Sequence, residues 1–256
     1  MAGDAAALAP LADALGRHAL ALYGALLLLL PAVLGVAGHR LSRGGHRAGS
    51  RLGIRLGIAA GLIGLAIFAT LATLLVTGDA LRAADQAFAD ALRASVPAAA
   101  LRAFAALTHL ADTATLTALC ITMALLMATL RQPALALGWV LAVAGNGVLN
   151  RSLKAVFGRA RPLHQDAAWA EVGFSFPSGH SSGAVVACGM LAYTVLRWLP
   201  ARWHGWALAA AVALAGSIGA SRVFLGVHFA SDVIAGFASG GVWLVLCIGL
   251  LARLRR

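Results

Sequence analysis

Long apolar runs recur along the whole chain and restrict it to one class of fold. Hydrophobic residues make up 61% of its 256 residues, charged residues only 11%, and the mean hydropathy is +0.87. A soluble domain of this composition would have too little polar surface to cover its apolar interior. Lipid offers no water to backbone amides and carbonyls, so apolar runs of this length cross a membrane as helices. The sequence therefore predicts an all-α, polytopic transmembrane helical bundle.

Seven of these runs are predicted to span the membrane. They cover residues 19–37, 56–77, 111–130, 134–153, 181–199, 204–221 and 231–252. Arg17 and His18 precede the first run and would favour an N-terminus inside, so six spans are the alternative. Residues 79–105 mix charged and apolar side chains at helical spacing, which indicates an interfacial amphipathic helix or a solvated connector. We treat the chain as one integrated membrane domain with an N-terminal part, 1–105, and a core, 106–256.

The arginines between the runs predict the orientation of the chain. Five arginines and no acid lie between the first two spans: Arg40, Arg43, Arg47, Arg51 and Arg55. This excess of arginine marks a cytoplasmic loop. Because successive spans cross the membrane in opposite directions, the C-terminus is then predicted inside and the N-terminus outside. Arginine in place of lysine, together with abundant alanine, is typical of a GC-rich bacterial genome and favours the bacterial cytoplasmic membrane. The net charge of +11 is spread over short loops, which excludes a nucleic-acid-binding surface.

Three short polar clusters interrupt the apolar runs in the second half of the chain. In the first, Lys154 ends the fourth predicted span and is followed by Arg159 and by Arg161-Pro162. Lys154 is the only lysine among the 20 basic residues. Cations on one short segment can clamp a phosphate, and snorkelling of basic side chains at a helix end is the alternative.

The second cluster, Pro177-Ser178-Gly179-His180, leads directly into the fifth predicted span. Ser178 or a neighbour would cap a helix whose first amides can bind an anion. Gly179 allows the backbone to approach a phosphate closely, and His180 is placed to give a proton to a leaving oxygen. A plain helix cap with an uninvolved histidine is the alternative.

The third cluster consists of Ser221-Arg222, His228 and Asp232. His228 and Asp232 are four residues apart and would share one helical face, so the carboxylate can orient the imidazole as a nucleophile. Arg222 supplies a further cation. A structural hydrogen bond is the alternative, although a carboxylate at the start of a span is costly without a role.

Together the three clusters resemble the tripartite signature of the type 2 phosphatidic acid phosphatase family. The matching segments are Lys154-x6-Arg161-Pro162, Pro177-Ser178-Gly179-His180 and Ser221-Arg222-x5-His228-x3-Asp232. Every signature position is matched, and the resemblance covers the chain from Lys154 to its end. It implies a six-helix phosphatase core, here with one additional N-terminal span, and an active site near the outer membrane face. It also implies metal-independent dephosphorylation of lipid phosphates.

The resemblance and the residue chemistry together give each side chain an expected role. His228 is the nucleophile that forms a phosphohistidine, Asp232 orients it, and His180 protonates the leaving group. The residues expected to bind the phosphate are Lys154, Arg161, Arg222, Ser178 and Gly179. Residues with a supporting role are Arg159, Pro177 and Ser221.

We expect no metal and no other cofactor. Magnesium-dependent transfer needs several carboxylates, and the sequence near the clusters offers only Asp232, Asp166 and Glu171. The expected partner is a lipid phosphate within the membrane, without an obligate protein partner. The candidate substrates are undecaprenyl diphosphate, phosphatidylglycerol phosphate and phosphatidic acid.

The sequence is compatible with three alternative functions. A phosphotransferase would use the same residues with a different acceptor. A non-catalytic transporter of anionic lipids would need neither histidine. A vanadium haloperoxidase is disfavoured, because such relatives resemble soluble chains.

Overall fold

A computed structural model of the chain describes residues 2–43, 51–162 and 171–254. These residues form nine α-helices and two short 3-10 turns, and they contain no strand. The helices are α1 (Ala2–Arg43), α2 (Arg51–Thr77), α3 (Ala80–Ser95), α4 (Ala98–Thr108), α5 (Thr113–Thr129), α6 (Pro133–Phe157), α7 (Gly179–Val195), α8 (His204–Phe224) and α9 (Ala230–Leu254). The predicted all-α fold is confirmed.

Each of the seven predicted spans coincides with a helix. The segments long and apolar enough to cross a membrane are Pro10–Val33, Arg55–Thr77, Pro133–Phe157, Ala201–Phe224 and Ala230–Leu254. The helices α5 and α7 have 17 residues each, which corresponds to about 26 Å and to the lower limit for a span. The polytopic bundle is therefore confirmed, whereas a count of seven depends on these two short helices. Arg47, one of the orientation signals, lies outside the described residues.

Residues 79–105 form parts of two helices instead of the single amphipathic helix predicted. The axes of α3 and α4 differ by 118° at a break of two residues. The break occurs at Val96-Pro97, where proline forces the preceding residue into an extended conformation, with φ −88° and ψ 125° at Val96. The α3 helix buries Asp85 and Leu92 on one face. Its placement at the membrane interface stays a prediction.

The N-terminal helices pack directly on the core. The α1 helix lies against α3 and α8, while α2 lies against α9. Between α1, α4 and α8, the rings of Phe104 and Phe224 stack with centroids 4.4 Å apart, and Tyr23 meets both edge-on. The main core cluster includes Trp139 and Met190 and fills the space between α6, α7 and α9. Both parts of the chain therefore share one packed structure.

Glycines on α9 allow it to approach α7 very closely. A Cβ atom at Gly236 would lie 2.6 Å from the Ser178 carbonyl oxygen, and one at Gly240 would lie 2.7 Å from that of Ser182. Small residues four positions apart are the usual means of bringing two membrane helices together. The approach also joins two polar clusters, since the Ser178 amide donates to the Asp232 carbonyl at 2.9 Å.

We predict that Gly240→Ala destabilises the protein whereas Gly241→Ala does not. The added methyl group at position 240 would meet backbone atoms of Ser182, which cannot move aside, at an expected cost of about 1–3 kcal/mol. At position 241 an added methyl group would have nothing within 4 Å, so alanine should be neutral or stabilising through its helix propensity. Thermal unfolding in detergent measures the apparent Tm of both variants and of the wild type. Equal shifts in apparent Tm would contradict this account of α7–α9 packing.

Candidate active site

The three polar clusters meet at one end of the bundle. The first lies at the C-terminal end of α6, the second at the N-terminal end of α7, and the third in the connection from α8 to α9. Gly158 ends α6 in the left-handed conformation, with φ 55°, and turns the chain so that Arg159 points into the protein. The convergence expected of the motif residues is therefore present.

His228 is buried and is held from both sides of its ring. Its Nδ1 lies 3.2 Å from the Ser175 hydroxyl and 3.4 Å from Asp232 Oδ2, and that hydroxyl donates to the same Oδ2 at 2.5 Å. On the other side, Arg161 Nη1 lies 3.2 Å from His228 Nε2. A guanidinium can only donate, so Nε2 is the acceptor and the ring proton sits on Nδ1. This tautomer leaves the lone pair of His228 on Nε2, where it accepts from Arg161 in this structure.

His228 precedes α9 and does not share a helical face with Asp232 as the spacing predicted. Asp232 lies in the first turn of α9, where its Oδ2 accepts from the Phe229 amide at 2.9 Å. The contact between His228 and Asp232 is thus made across a helix N-terminus of the capping type. Burial lowers the pKa of His228 to about 4, although Asp232 acts in the opposite direction. The imidazole is therefore neutral at physiological pH.

Arg159 faces the protein interior. Its Nη1 donates to Asp232 Oδ1 at 2.6 Å and its Nη2 to Asp85 Oδ2 at 2.8 Å. The Phe229 ring lies under the guanidinium, with its centroid 4.2 Å from Cζ. Of the two roles open to Arg159, a phosphate contact or a supporting side chain, this arrangement favours the supporting one.

Two of the remaining cations and both histidines surround one carboxylate, that of Glu171. Arg161 Nη2 lies 2.9 Å from Oε2, and Arg222 Nη2 forms an ion pair with Oε1. His228 Nε2 and His180 Nδ1 are each 4.0 Å from one of the two carboxylate oxygens. The carboxylate therefore occupies the position at which these four groups would hold any other anion.

Glu171 is held in its ionised form at this position. Burial acts to raise its pKa, but Arg222, His180 and Arg161 together hold the pKa below its ordinary value. From the sequence, Glu171 and Asp166 were counted only as too few carboxylates for a magnesium site, and no role was predicted for either. Asp166 lies outside the described residues. Within the described ranges, no group of three or more His, Cys, Asp or Glu side chains could hold a metal ion.

Two of the three guanidinium nitrogens of Arg222 form hydrogen bonds to described residues. Its Nη1 donates to the Thr108 hydroxyl at 2.6 Å, and Nη2 bonds to Glu171. Its Nε is buried and has no hydrogen-bond partner among the described residues. An unpaired buried donor is costly, and an anion bound beside it would satisfy it.

His180 also has a carboxylate partner. Its Nε2 lies 2.9 Å from Oδ1 of Asp112, the residue that precedes α5. The other oxygen of Asp112 lies 2.7 Å from His109 Nδ1. Burial acts to raise the pKa of Asp112, but the hydrogen bonds from His109 and His180 lower it overall. The contact with Asp112 thus orients His180 so that its Nδ1 faces the Glu171 carboxylate.

Lys154 and the second cluster shape the walls of this site. Lys154 Nζ donates to the carbonyl oxygens of Phe174 and Ser175, the latter at 3.3 Å. Ser178 caps α7, and its hydroxyl accepts from the Ser181 amide at 3.4 Å. Gly179 begins α7, where the first amides have no partner within the helix. The predicted phosphate contacts of these residues stay predictions.

Pro177 and Ser221 bond to their surroundings and not to the centre of the site. The Pro177 carbonyl accepts from Asn150 Nδ2 at 3.3 Å. The Ser221 hydroxyl donates to the Ile218 carbonyl one turn earlier in α8, at 2.5 Å. The predicted supporting role of these two residues stays a prediction.

Several polar side chains of the site had no role predicted from the sequence. They include Asp85, Asp112, Ser175 and the anion-site carboxylate Glu171. Asp112 could have been found from the sequence, because it lies at the start of the predicted span 111–130, on the same side of the membrane as the clusters. Ser175 stands two residues before Pro177 but had no role assigned, and Asp85 and Glu171 have no regular spacing relative to the motifs.

Comparisons with known proteins agree with this description. The family model described as PAP2 superfamily matches residues 133–256, which contain all three clusters. Phosphatidylglycerophosphatase B of Bacillus subtilis is 34% identical over 116 residues, or 43% of this chain and 54% of the relative. Lipid A 1-phosphatase of Rhizobium etli is 36% identical over 119 residues, or 42% of this chain and 47% of the relative. The chain thus matches about half the length of these curated relatives.

A solved structure extends the likeness to the N-terminal helices. The crystal structure of a transmembrane PAP2 type phosphatidylglycerolphosphate phosphatase from Bacillus subtilis has a TM-score of 0.67 and 28% sequence identity to this chain. The match covers 78% of this chain and 98% of that chain. Residues 133–256 of this multi-pass membrane protein, which contain all three clusters, therefore match the PAP2 superfamily, and the fold is similar to that of a PAP2 type phosphatase.

Proposed function

We propose that the protein is an integral membrane phosphatase that hydrolyses lipid phosphate or diphosphate monoesters without a metal, through a phosphohistidine. One observation carries the proposal: two arginines and two histidines, each histidine backed by a carboxylate, surround a single anionic position. That position is taken by Glu171 in this structure. A nucleophile, a proton donor and cations around one anion are the requirements of metal-independent phosphoryl transfer.

In the first step, His228 Nε2 attacks phosphorus while the bond from phosphorus to the lipid-side oxygen breaks. Asp232 and Ser175 hold the Nδ1 proton and offset the positive charge that the ring gains. His180 gives a proton to the leaving oxygen, and Asp112 stabilises its protonated form before transfer.

In the second step, His180 takes a proton from water, whose oxygen attacks phosphorus and releases inorganic phosphate and neutral His228. Arg161 and Arg222 neutralise the nonbridging oxygens throughout. Lys154 and the Gly179 amide at the start of α7 complete the phosphate pocket. With the buried Arg222 Nε as an additional donor, the pocket has more donors than one carboxylate requires.

The substrate is proposed to be a lipid phosphate drawn from the outer leaflet. The names of two relatives, phosphatidylglycerophosphatase B and lipid A 1-phosphatase, both describe removal of phosphate from a lipid. Phosphatidylglycerol phosphate is therefore the first candidate, followed by undecaprenyl diphosphate and phosphatidic acid. The motif residues contact the phosphate and do not distinguish between lipid tails.

The active site is proposed to face the outside of the bacterial cytoplasmic membrane. Arg131, Arg197, Arg202 and Arg253 lie at the ends of helices opposite to the polar clusters, and the positive-inside rule places that end in the cytoplasm together with the C-terminus. On this orientation α3 lies at the outer interface, next to the site. No obligate protein partner is required by this reaction.

We predict that His228→Ala abolishes phosphate release from the preferred lipid phosphate, with a loss of about 1,000-fold or more, because no other group can form the covalent intermediate. The purified protein is assayed in excess EDTA with phosphatidylglycerol phosphate, undecaprenyl diphosphate and phosphatidic acid. His204→Ala, at the opposite end of the bundle, serves as the matched control. Activity that EDTA removes would contradict metal independence, and an active His228→Ala would contradict the assignment of the nucleophile.

We predict that His180→Ala reduces activity in a way that depends on the leaving group. A lipid alkoxide needs a proton to leave, so its release should fall by about 100-fold or more. Nitrophenolate leaves without a proton, so hydrolysis of p-nitrophenyl phosphate should fall much less. The comparison of kcat for the two substrates measures the effect. An equal loss for both would show that His180 is not the general acid.

We predict that Glu171→Gln strengthens inhibition by inorganic phosphate. The wild-type carboxylate competes with phosphate for Arg161 and Arg222, and the neutral amide competes less. The half-inhibitory phosphate concentration should fall by about tenfold, which corresponds to about 1.4 kcal/mol. Asp79→Asn makes the same charge change at an exposed position and should have no effect. Weaker inhibition in Glu171→Gln would mean that the carboxylate supports anion binding instead of opposing it.

A further inference from the structure

Asp85 is a buried carboxylate that comes from outside the region matched by the family model. It lies on α3, and its side chain is 6% exposed. Arg159 Nη2 donates to its Oδ2 at 2.8 Å, the Ser231 amide donates to its Oδ1 at 3.2 Å, and the Ser231 hydroxyl donates to Oδ2. Three donors around one carboxyl group is the pattern of an ionised carboxylate.

The partner of Asp85 is also the partner of the catalytic carboxylate. Arg159 uses Nη2 for Asp85 and Nη1 for Asp232 Oδ1, and Nη1 also lies 2.7 Å from the Ser231 hydroxyl. The other oxygen of Asp232 faces His228 Nδ1 at 3.4 Å. A continuous series of contacts therefore runs from Asp85 through Arg159 and Asp232 to His228, within the buried part of the protein.

The charges in this series have a consequence for catalysis. Two carboxylates and one guanidinium leave one negative charge behind His228. When Nε2 bonds to phosphorus, the imidazole becomes cationic, and this remaining negative charge stabilises it. Without Asp85, the full charge of Arg159 would be directed at Asp232 and would cancel the negative charge that His228 needs.

Asp85 also fixes the start of α9. Ser231 is the second residue of that helix, so its amide is one of the donors that the helix itself cannot satisfy. A carboxylate at this point caps the helix and is favoured by the helix dipole. Because His228 and Asp232 flank Ser231, the Asp85 contact holds the backbone that carries both.

We infer that Asp85 is a positioning residue for the His228–Asp232 pair, acting through Arg159 and Ser231. The inference rests on the proposed function and adds to it a contribution of the N-terminal part of the chain to the catalytic centre. Asp85 does not touch the substrate position, so its effect should fall on turnover and leave substrate binding unchanged.

The test compares Asp85→Asn with Asp90→Asn in the detergent-purified full chain. Asp90 is on the same helix but exposed, and its carboxylate bonds only to Gln86 in the hydrogen bonds described for it. For folded Asp85→Asn, judged by gel filtration and thermal unfolding, we expect kcat to fall by about 10- to 100-fold with KM within about twofold of wild type. Asp90→Asn should keep wild-type values. Asp85→Glu, which restores the charge, should recover part of the lost kcat.

A folded Asp85→Asn protein with wild-type kcat would overturn the inference, as would equal losses in Asp85→Asn and Asp85→Glu. If Asp85→Asn does not fold, Ser231→Ala tests the inference in its place. It removes one contact of Asp85 and leaves the charges of Asp85 and Arg159 unchanged. We then expect kcat to fall by about threefold or more at unchanged KM, and an unchanged kcat would overturn the inference.

Failure of the proposed function has a different signature. It would appear as no phosphate release by the wild-type protein, or as full activity in His228→Ala. If the wild type is active and His228→Ala is not, any negative result with Asp85→Asn concerns the positioning role alone.

Discussion

Positive charge is concentrated at one end of an apolar helical bundle, and the need to neutralise it governs the arrangement of the surrounding elements. Arg159, Arg161 and Arg222 all have buried guanidinium groups. A buried charge without a partner costs several kcal/mol, so each guanidinium must meet a carboxylate. Because the acids come from α3, from the loop before α7 and from α9, these elements have to converge on the ends of α6 and α8.

The neutralising carboxylates fall into two groups with different consequences. Asp85 and Asp232 lie on helices, are almost fully buried and share Arg159, so they form a fixed inner set. Glu171 lies on a loop, is 31% exposed and binds Arg161 and Arg222. Glu171 is therefore accessible to solvent, whereas the inner set is enclosed and holds Asp232 next to His228.

The N-terminal helices support the site although the family match begins only at α6. Phe176, which precedes the second polar cluster, packs against Phe157 of α6 and Phe68 of α2, with ring centroids 5.0 Å and 5.8 Å apart. The α3 helix contributes Asp85, and the end of α4 provides the Thr108 hydroxyl to Arg222. The half of the chain that carries the three motifs therefore depends on neighbours that the motifs do not reveal.

The sequence alone determined the helical class, the position of each apolar helix and the motif residues, because lipid permits few alternatives and because short-range spacing survives in a linear pattern. It placed Arg159 near the site but left its role open. Only the tertiary structure decided that Asp85 pairs with Arg159, 74 positions away, and that Glu171 occupies the anion position. It also split the expected amphipathic helix in two at Pro97, and Asp85 lies on the buried face of the first half. Pairings of this kind depend on which helices pack together, and no local pattern of residues encodes that choice.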